Sequence, residues 1–182
     1  MKFLQRLETK RLILRTLIKD DFNAFFNLIS NEEIIKNLYL PNKFKEISKV
    51  QNLFDSLINP YNSSDSIMVL AVADKENEDF MGFCGLKDFE KTSNALTFYA
   101  LLSKYRGYGY AIEFMKKLFE YAFLRLELPK IIAFINPQSA QSWRLAERIG
   151  MKYMGHMKYK NSNPDPMFFT IEKKEFDAQR AY

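Results

Sequence analysis

Two glycines one residue apart, Gly107 and Gly109 in the stretch RGYGYA, are the residues whose spacing carries the most chemistry. The 182-residue chain holds only six glycines, so a pair this close marks backbone with an unusual task. Two readings compete: a tight turn linking a strand to a helix, or a cradle of bare N–H groups for a phosphate. The pattern is not the dinucleotide fingerprint G-x-G-x-x-G, because Ile112 stands where the third glycine belongs. Nor does Gly-Lys-Ser/Thr follow, as a nucleoside-triphosphate loop requires. Other reactive side chains are sparse. The single Cys84 excludes an internal disulfide, and with the single His156 it cannot build a zinc site without carboxylates, so no metal is expected. Cys84 reads as a core residue and His156 as a structural one.

The elements that must position this turn follow from periodicity. KRLILRTL, residues 10–17, reads as a first strand, and KDDFNAFFNLISNEEIIKNL follows with helical spacing of Phe22, Phe25, Phe26 and Ile29. Asp20 and Asp21 sit where helix starts favour acids. EISKVQNLFDSLINP repeats the helical spacing and stops at Pro60. Three strand-like runs come next, SIMVLAVAD, DFMGFCGLKD and NALTFYALLSK, separated by polar turns as in a meander. The glycine pair ends the meander, and a helix is expected over 107–127 before Pro129. KIIAFIN reads as a strand and PQSAQSWRLAERIG as a short helix closed by Gly150. MKYMGHMKYK and PMFFTIEKKEF read as two last strands around a polar turn at 161–165. No linker, repeat or low-complexity tract divides the chain, so residues 1–182 read as a single domain. Its order predicts an α/β or α+β fold, one mixed sheet flanked by helices.

Bulk composition sets the outer limits. At 47% hydrophobic and 27% charged the chain is ordinary globular protein with room for a sizeable core. Charges interrupt the apolar residues of its first fifteen positions, and no apolar run approaches a membrane span, so it reads as cytoplasmic and without a membrane partner. A formal charge of +5 without a basic block permits nucleic acid but does not demand it, and suits a polyanionic small ligand equally well.

A strand-to-helix junction presents unpaired N–H groups at the positive end of a helix dipole, which favours the cradle over the plain turn. RGYGYA matches the Arg/Gln-x-x-Gly-x-Gly/Ala signature of the GNAT superfamily of acyl-CoA-dependent N-acyltransferases, with Arg106, Gly109 and Ala111 at its fixed positions. LETKRLILRTL, YALLSKYRGYGYAIEFMKKLFEYAF and SAQSWRLAERIGM resemble, in order, the RimJ/RimL-type branch, which acetylates ribosomal-protein N-termini and related amines. The resemblance implies a GNAT fold: a mostly antiparallel sheet of about seven strands, splayed at the acyl-CoA slot and flanked by four to five helices.

It also implies a site. Acetyl-CoA would lay its pyrophosphate on the backbone of Arg106, Gly107, Tyr108, Gly109, Tyr110 and Ala111, and its pantetheine along Leu101, Leu102 and Ser103. A primary amine, on a protein N-terminus or a small molecule, would attack the thioester directly, which needs a deprotonated amine, an oxyanion donor and a proton for the departing thiolate. The N–H of Leu101 or its neighbour is the expected oxyanion donor. Ser142 matches the branch's thiolate-protonating serine in an Asn-x-x-Ser motif, although Ser139 replaces the Asn, and Asn136 is a candidate for the lost cofactor contact. Helix capping by Ser139 or Asn136 stands beside those roles. Relatives often carry a glutamate three residues before the tyrosine matching Tyr99, where this chain has Leu96. Glu113, Tyr99 and the pair Glu32 and Glu33 are the substitutes for a base, and loss of the proton to water is the other route. Two further readings remain: a catalytically degenerate acyl-CoA-binding module, and an RNA- or ribosome-associated protein. The resemblance fits a monomer or a homodimer.

Overall fold

The computed structural model describes residues 6–58, 67–90, 92–160 and 162–180. Pro60 and Asn161, singled out above as a helix stop and the start of a turn, lie outside them. Eight strands form one sheet: β1 (Arg6–Glu8), β2 (Leu12–Arg15), β3 (Ile67–Asp74), β4 (Phe80–Asp88), β5 (Ala95–Leu101), β6 (Lys130–Ile135), β7 (Lys152–His156) and β8 (Met167–Glu172). Their order is β1-β2-β3-β4-β5-β6-β8-β7, antiparallel throughout except where β5 meets β6. Among the described residues six helices flank it: α1 (Phe22–Ile29), α2 (Glu32–Asn37), α3 (Ile47–Ile58), α4 (Tyr110–Leu124), α5 (Ala140–Arg148) and α6 (Lys173–Arg180). The mixed, mostly antiparallel sheet flanked by helices is the architecture expected from the sequence.

Strand alternation divides the apolar residues between two faces. Leu12, Leu14, Cys84, Leu86, Leu101 and Ile131 join α4 and α5 in one core. Ala71, Phe83 and Ala100 point to the other face, where Phe25, Leu28, Ile34, Val50 and Phe54 of α1–α3 cover them. Each phenylalanine fully buried this way contributes roughly 1.5–3 kcal/mol of transfer free energy.

The helix expected over 107–127 is α4, Tyr110–Leu124, since Gly107 and Gly109 hold positive φ in the turn before it; three further boundaries differ from the sequence reading. The strand read over 10–17 is β2, and an unread strand, β1, precedes it to make a hairpin and the eighth strand, with its turn closed by the Thr9 N–H on the Leu12 carbonyl. The first helix breaks in two because Asn31 adopts extended backbone and its side chain accepts hydrogen bonds from the N–H groups of Glu33 and Ile34. Removing that cap should destabilise the fold by about 1 kcal/mol. Asn31→Ala is therefore expected to lower the denaturation midpoint with an unchanged slope, and an unshifted midpoint would show that water caps α2 equally well. Finally, residues 173–180 leave the sheet as α6. The Glu175 carboxylate accepts from the Glu172 N–H at its start, and the Phe176 ring stacks on Phe123 at 4.8 Å.

Candidate active site

The glycine turn lies between β5 and α4. Gly109 is the N-cap of α4 with φ +79°, and no side chain caps the helix, so the first-turn N–H groups are left without intrahelical partners. Gly107 also has positive φ, and a Cβ there would meet nothing within 4 Å. The turn is thus open on its outer side and carries the positive end of a fifteen-residue helix.

The sheet opens beside this turn. β5 and β6 pair only at Ala95–Ile131 and Leu96–Ile132, while β5 continues to Leu101 against β4. The Leu102 N–H donates to the Met81 carbonyl at 2.9 Å. Antiparallel alternation therefore turns the N–H and C=O groups of Leu101 and Tyr99 away from β4 and into the gap before β6. Of these, the Leu101 carbonyl accepts from Arg106 Nε at 3.2 Å.

Facing that gap is a short line of hydroxyls. Tyr99 donates to Ser142 Oγ at 3.4 Å, and Ser142 Oγ lies 2.8 Å from Ser139 Oγ. Ser139 is the N-cap residue of α5, but its hydroxyl makes no cap bond and is spent on Ser142 instead. Burial pushes the Tyr99 phenol above its ordinary pKa, outweighing the opposite pulls of the Ser142 hydrogen bond and the Arg106 charge. Tyr99 therefore keeps its proton at neutral pH.

The remaining residues singled out in the sequence are placed as follows. The Glu113 carboxylate takes the Thr9 hydroxyl at 2.6 Å, the Arg11 N–H at 2.8 Å and the Arg11 guanidinium at 2.7 Å. Burial raises its pKa, but these three donors outweigh burial and hold it below the usual carboxylate range. All its lone pairs serve a clamp between the β1–β2 turn and α4. Asn136 is buried with both ends of its amide engaged, to Asn37 at 2.9 Å and the Gln138 N–H at 3.0 Å. Arg106 holds Glu33 at 2.9 Å, tying the turn to α2. Glu32 pairs with Lys45 at the surface. Cys84 is fully buried, and burial pushes its thiol far above the ordinary range.

A cavity of about 1040 Å³ joins these parts. It is lined by Tyr99, Leu101, Arg106, Gly107, Gly109, Tyr110, Ala111, Asn136, Ser139 and Ser142, all singled out from the sequence. Leu102, Ser103, Tyr108 and Glu113 do not line it. Leu102 turns its N–H to β4, Ser103 opens a 3-10 turn over 103–105, and the Tyr108 side chain is exposed. Sequence reasoning missed Arg11, which donates to the Tyr108 carbonyl at 3.1 Å and stacks its guanidinium 4.3 Å from the Tyr110 ring centroid. It also missed the far wall, lined by Phe98, Phe134, Tyr159 and Tyr39 of the α2–α3 connection, where the Tyr39 and Tyr159 rings meet edge-on at 6.0 Å. No spacing signal links residues so far apart in the chain.

Residues 11–152 match the family model described as the acetyltransferase (GNAT) domain. The chain is 24% identical over 178 residues to the Bacillus licheniformis protein named Uncharacterized N-acetyltransferase p20, which spans 95% of this chain and 99% of that one. A GNAT-family acetyltransferase structure from Bacillus anthracis superposes with a TM-score of 0.78 at 18% identity, covering 93% of this chain and 99% of that one. Spermidine N-acetyltransferase from Vibrio cholerae, solved with CoA and spermine, superposes at 0.77 with 19% identity, covering 91% and 97%. At such identities the two structures share the fold.

Proposed function

Because the chain belongs to the GNAT acetyltransferase family, we propose that it transfers an acetyl group from acetyl-CoA to a primary amine, on a protein N-terminus or a small molecule, by direct attack in a ternary complex. The observation that carries this reading is the gap between β5 and β6, into which the N–H and C=O of Tyr99 and the N–H of Leu101 turn away from β4, beside the uncapped start of α4. The residues fit the cofactor. The first-turn amides from Tyr110 suit a pyrophosphate, and a strand edge with free donors and acceptors suits the amides of pantetheine.

The Leu101 N–H is the group available to an oxyanion, and Ser142 is the proton donor for the departing thiolate. Tyr99 behind Ser142 would resupply that proton, since its phenol stays protonated. The acceptor amine needs no dedicated base. Apart from Glu33, held by Arg106, the described lining residues include no carboxylate. A bound ammonium there would face apolar walls and like charges, both of which favour its neutral form. The proton would then leave to water. Glu113 serves this scheme as a positioning residue that fixes α4. The three collinear segments support a reading of the chain as a RimJ/RimL-type enzyme, and we propose that it works as one domain in the cytoplasm.

Acetyl-CoA and CoA should each raise the melting temperature. A ligand bound only by the folded state adds about 2.7 kcal/mol at a hundred times its Kd. A flat thermal profile up to millimolar CoA would sink the reading.

A further inference from the structure

The acceptor half of the cavity carries a distinctive balance of charge. On the face of the sheet covered by α1–α3, Lys87 of β4 stands one pair beyond the gap, opposite Leu96. Lys87 and Lys160 both line the cavity. Lys160 lies against the ring of Tyr159, its Nζ 4.9 Å from the centroid, and makes a 3.5 Å contact to the Tyr39 carbonyl. Neither lysine has a carboxylate partner among the described residues. They are close enough that the charge on Lys87, added to burial, lowers the Lys160 pKa. Both lysines are exposed where they line the cavity, so each ammonium is free to donate charge-assisted hydrogen bonds to an anionic ligand.

The third member is the Tyr39 hydroxyl. Its oxygen is buried without a hydrogen-bond partner, and Tyr39 lines the same cavity. A buried hydroxyl left unpaired costs free energy, so a ligand acceptor there recovers it. Burial pushes this phenol up to about 12, which keeps it a donor at neutral pH. Tyr39 also holds positive φ, 51°, at a position that is not glycine, a backbone conformation that costs energy. Aromatic surface completes the corner: Phe134 stacks on Tyr159 at 4.2 Å, and Tyr159 meets Tyr39 edge-on at 6.0 Å.

We propose that Lys87, Lys160 and the Tyr39 hydroxyl form an anion-recognition corner in the acceptor half of the cavity, and that the acceptor is a small apolar or aromatic amine bearing a carboxylate. The inference rests on the acetyl-transfer reading of this cavity. It separates this chain from polyamine acceptors, which need free carboxylates where this wall presents lysines. It also separates it from protein N-termini, whose first residue carries a neutral amide in place of the carboxylate. In chemical terms the amine would attack from the corner side of the gap while the carboxylate rests on the lysines.

The test uses the full chain loaded with CoA and compares L-phenylalanine, L-phenylalanine amide, phenethylamine and spermidine, by calorimetry for binding and by acetyl-CoA-dependent thiol release for turnover. L-phenylalanine should bind and react about ten- to a hundredfold better than its amide or phenethylamine, the range expected for a charge-assisted hydrogen bond. The double variant Lys87→Gln/Lys160→Gln should erase that preference while keeping the CoA-induced thermal shift, which also shows that it folds. Tyr39→Phe should weaken the preference in part. Equal or tighter binding of the amide, phenethylamine or spermidine overturns the corner, as does an unchanged preference in the double variant. Absence of a CoA-induced shift in the unmodified chain overturns the acetyl-transfer reading itself and the corner with it.

Discussion

Replacing Gly109 by glutamate should weaken CoA binding about a hundredfold or more, because juxtaposed like charges cost several kcal/mol and each 1.4 kcal/mol is tenfold. The substitution puts a carboxylate at the cap of α4, on the side where the uncapped N–H groups face the cavity. Two effects must be separated, since any side chain at φ +79° is strained. Gly109→Ala isolates the strain. Its Cβ would lie 3.8 Å from Arg11 Nη2, an ordinary contact, so it should cost about 1 kcal/mol of stability and much less affinity than glutamate. The glutamate variant has Arg11 beside it as a counter-ion, which helps the unliganded chain keep its fold. Calorimetric titration with CoA, paired with melting curves, reads both quantities. A glutamate variant that binds CoA as tightly as the unmodified chain would show that the glycine pair merely connects β5 to α4.

The second large effect is expected at Ser142. If its hydroxyl delivers the proton to the departing thiolate, Ser142→Ala should lower kcat roughly ten- to a thousandfold with little change in cofactor affinity, within or somewhat below the range of a positioned general acid. The competing account, support of the helix start, predicts a different loss. Ser142 makes no cap bond: its hydroxyl contacts Ser139 and Tyr99, and the cap residue of α5 is Ser139. Stability should therefore fall by no more than about 1 kcal/mol, the worth of one hydrogen bond. Tyr99→Phe keeps Ser142 in place but removes its donor, so its kcat should fall less than that of the serine variant. Turnover unaffected by Ser142→Ala, on an acceptor that the unmodified chain acetylates, would leave water or Tyr99 as the proton source.

How much of this was legible in the sequence depended on the distance over which each signal acts. Gly107 and Gly109 were readable because their conformation is a local property of the chain. The meander of β3, β4 and β5 was readable for the same reason, since neighbouring strands pair through short polar turns. Asn31 was missed as a cap because the apolar spacing on either side continues through it, and a helical period alone does not report a break. In α6, Phe176 is a single apolar residue whose partner Phe123 lies on another helix. Glu113 was the sharpest case. An acid on the first turn of α4 invites a catalytic role, but its fate is decided by Thr9 and Arg11, about a hundred residues earlier. Tyr39, Lys87 and Lys160 carry no motif, and only the folding of the α2–α3 connection over the sheet brings them to one wall.

The two-pair junction of β5 with β6 also bears on how the molecule comes apart. As backbone, the sheet is two ribbons, β1–β5 and β6–β8, basted together at Ala95–Ile131 and Leu96–Ile132. Side chains do the rest, and unequally. On the α4–α5 face the apolar cluster runs without interruption from Leu12 and Leu70 through Phe114 and Leu118 to Phe169 and Ile171. On the opposite face the buried cluster stops with Ala100, short of β6. The buried apolar core thus joins the ribbons on one face, with α4 as the strut across the join, while the other side contributes isolated contacts such as Tyr39 with Tyr159 and Asn37 with Asn136. Unzipping should begin on the hollow side, so the gap proposed to take the cofactor is also where the fold should first give way.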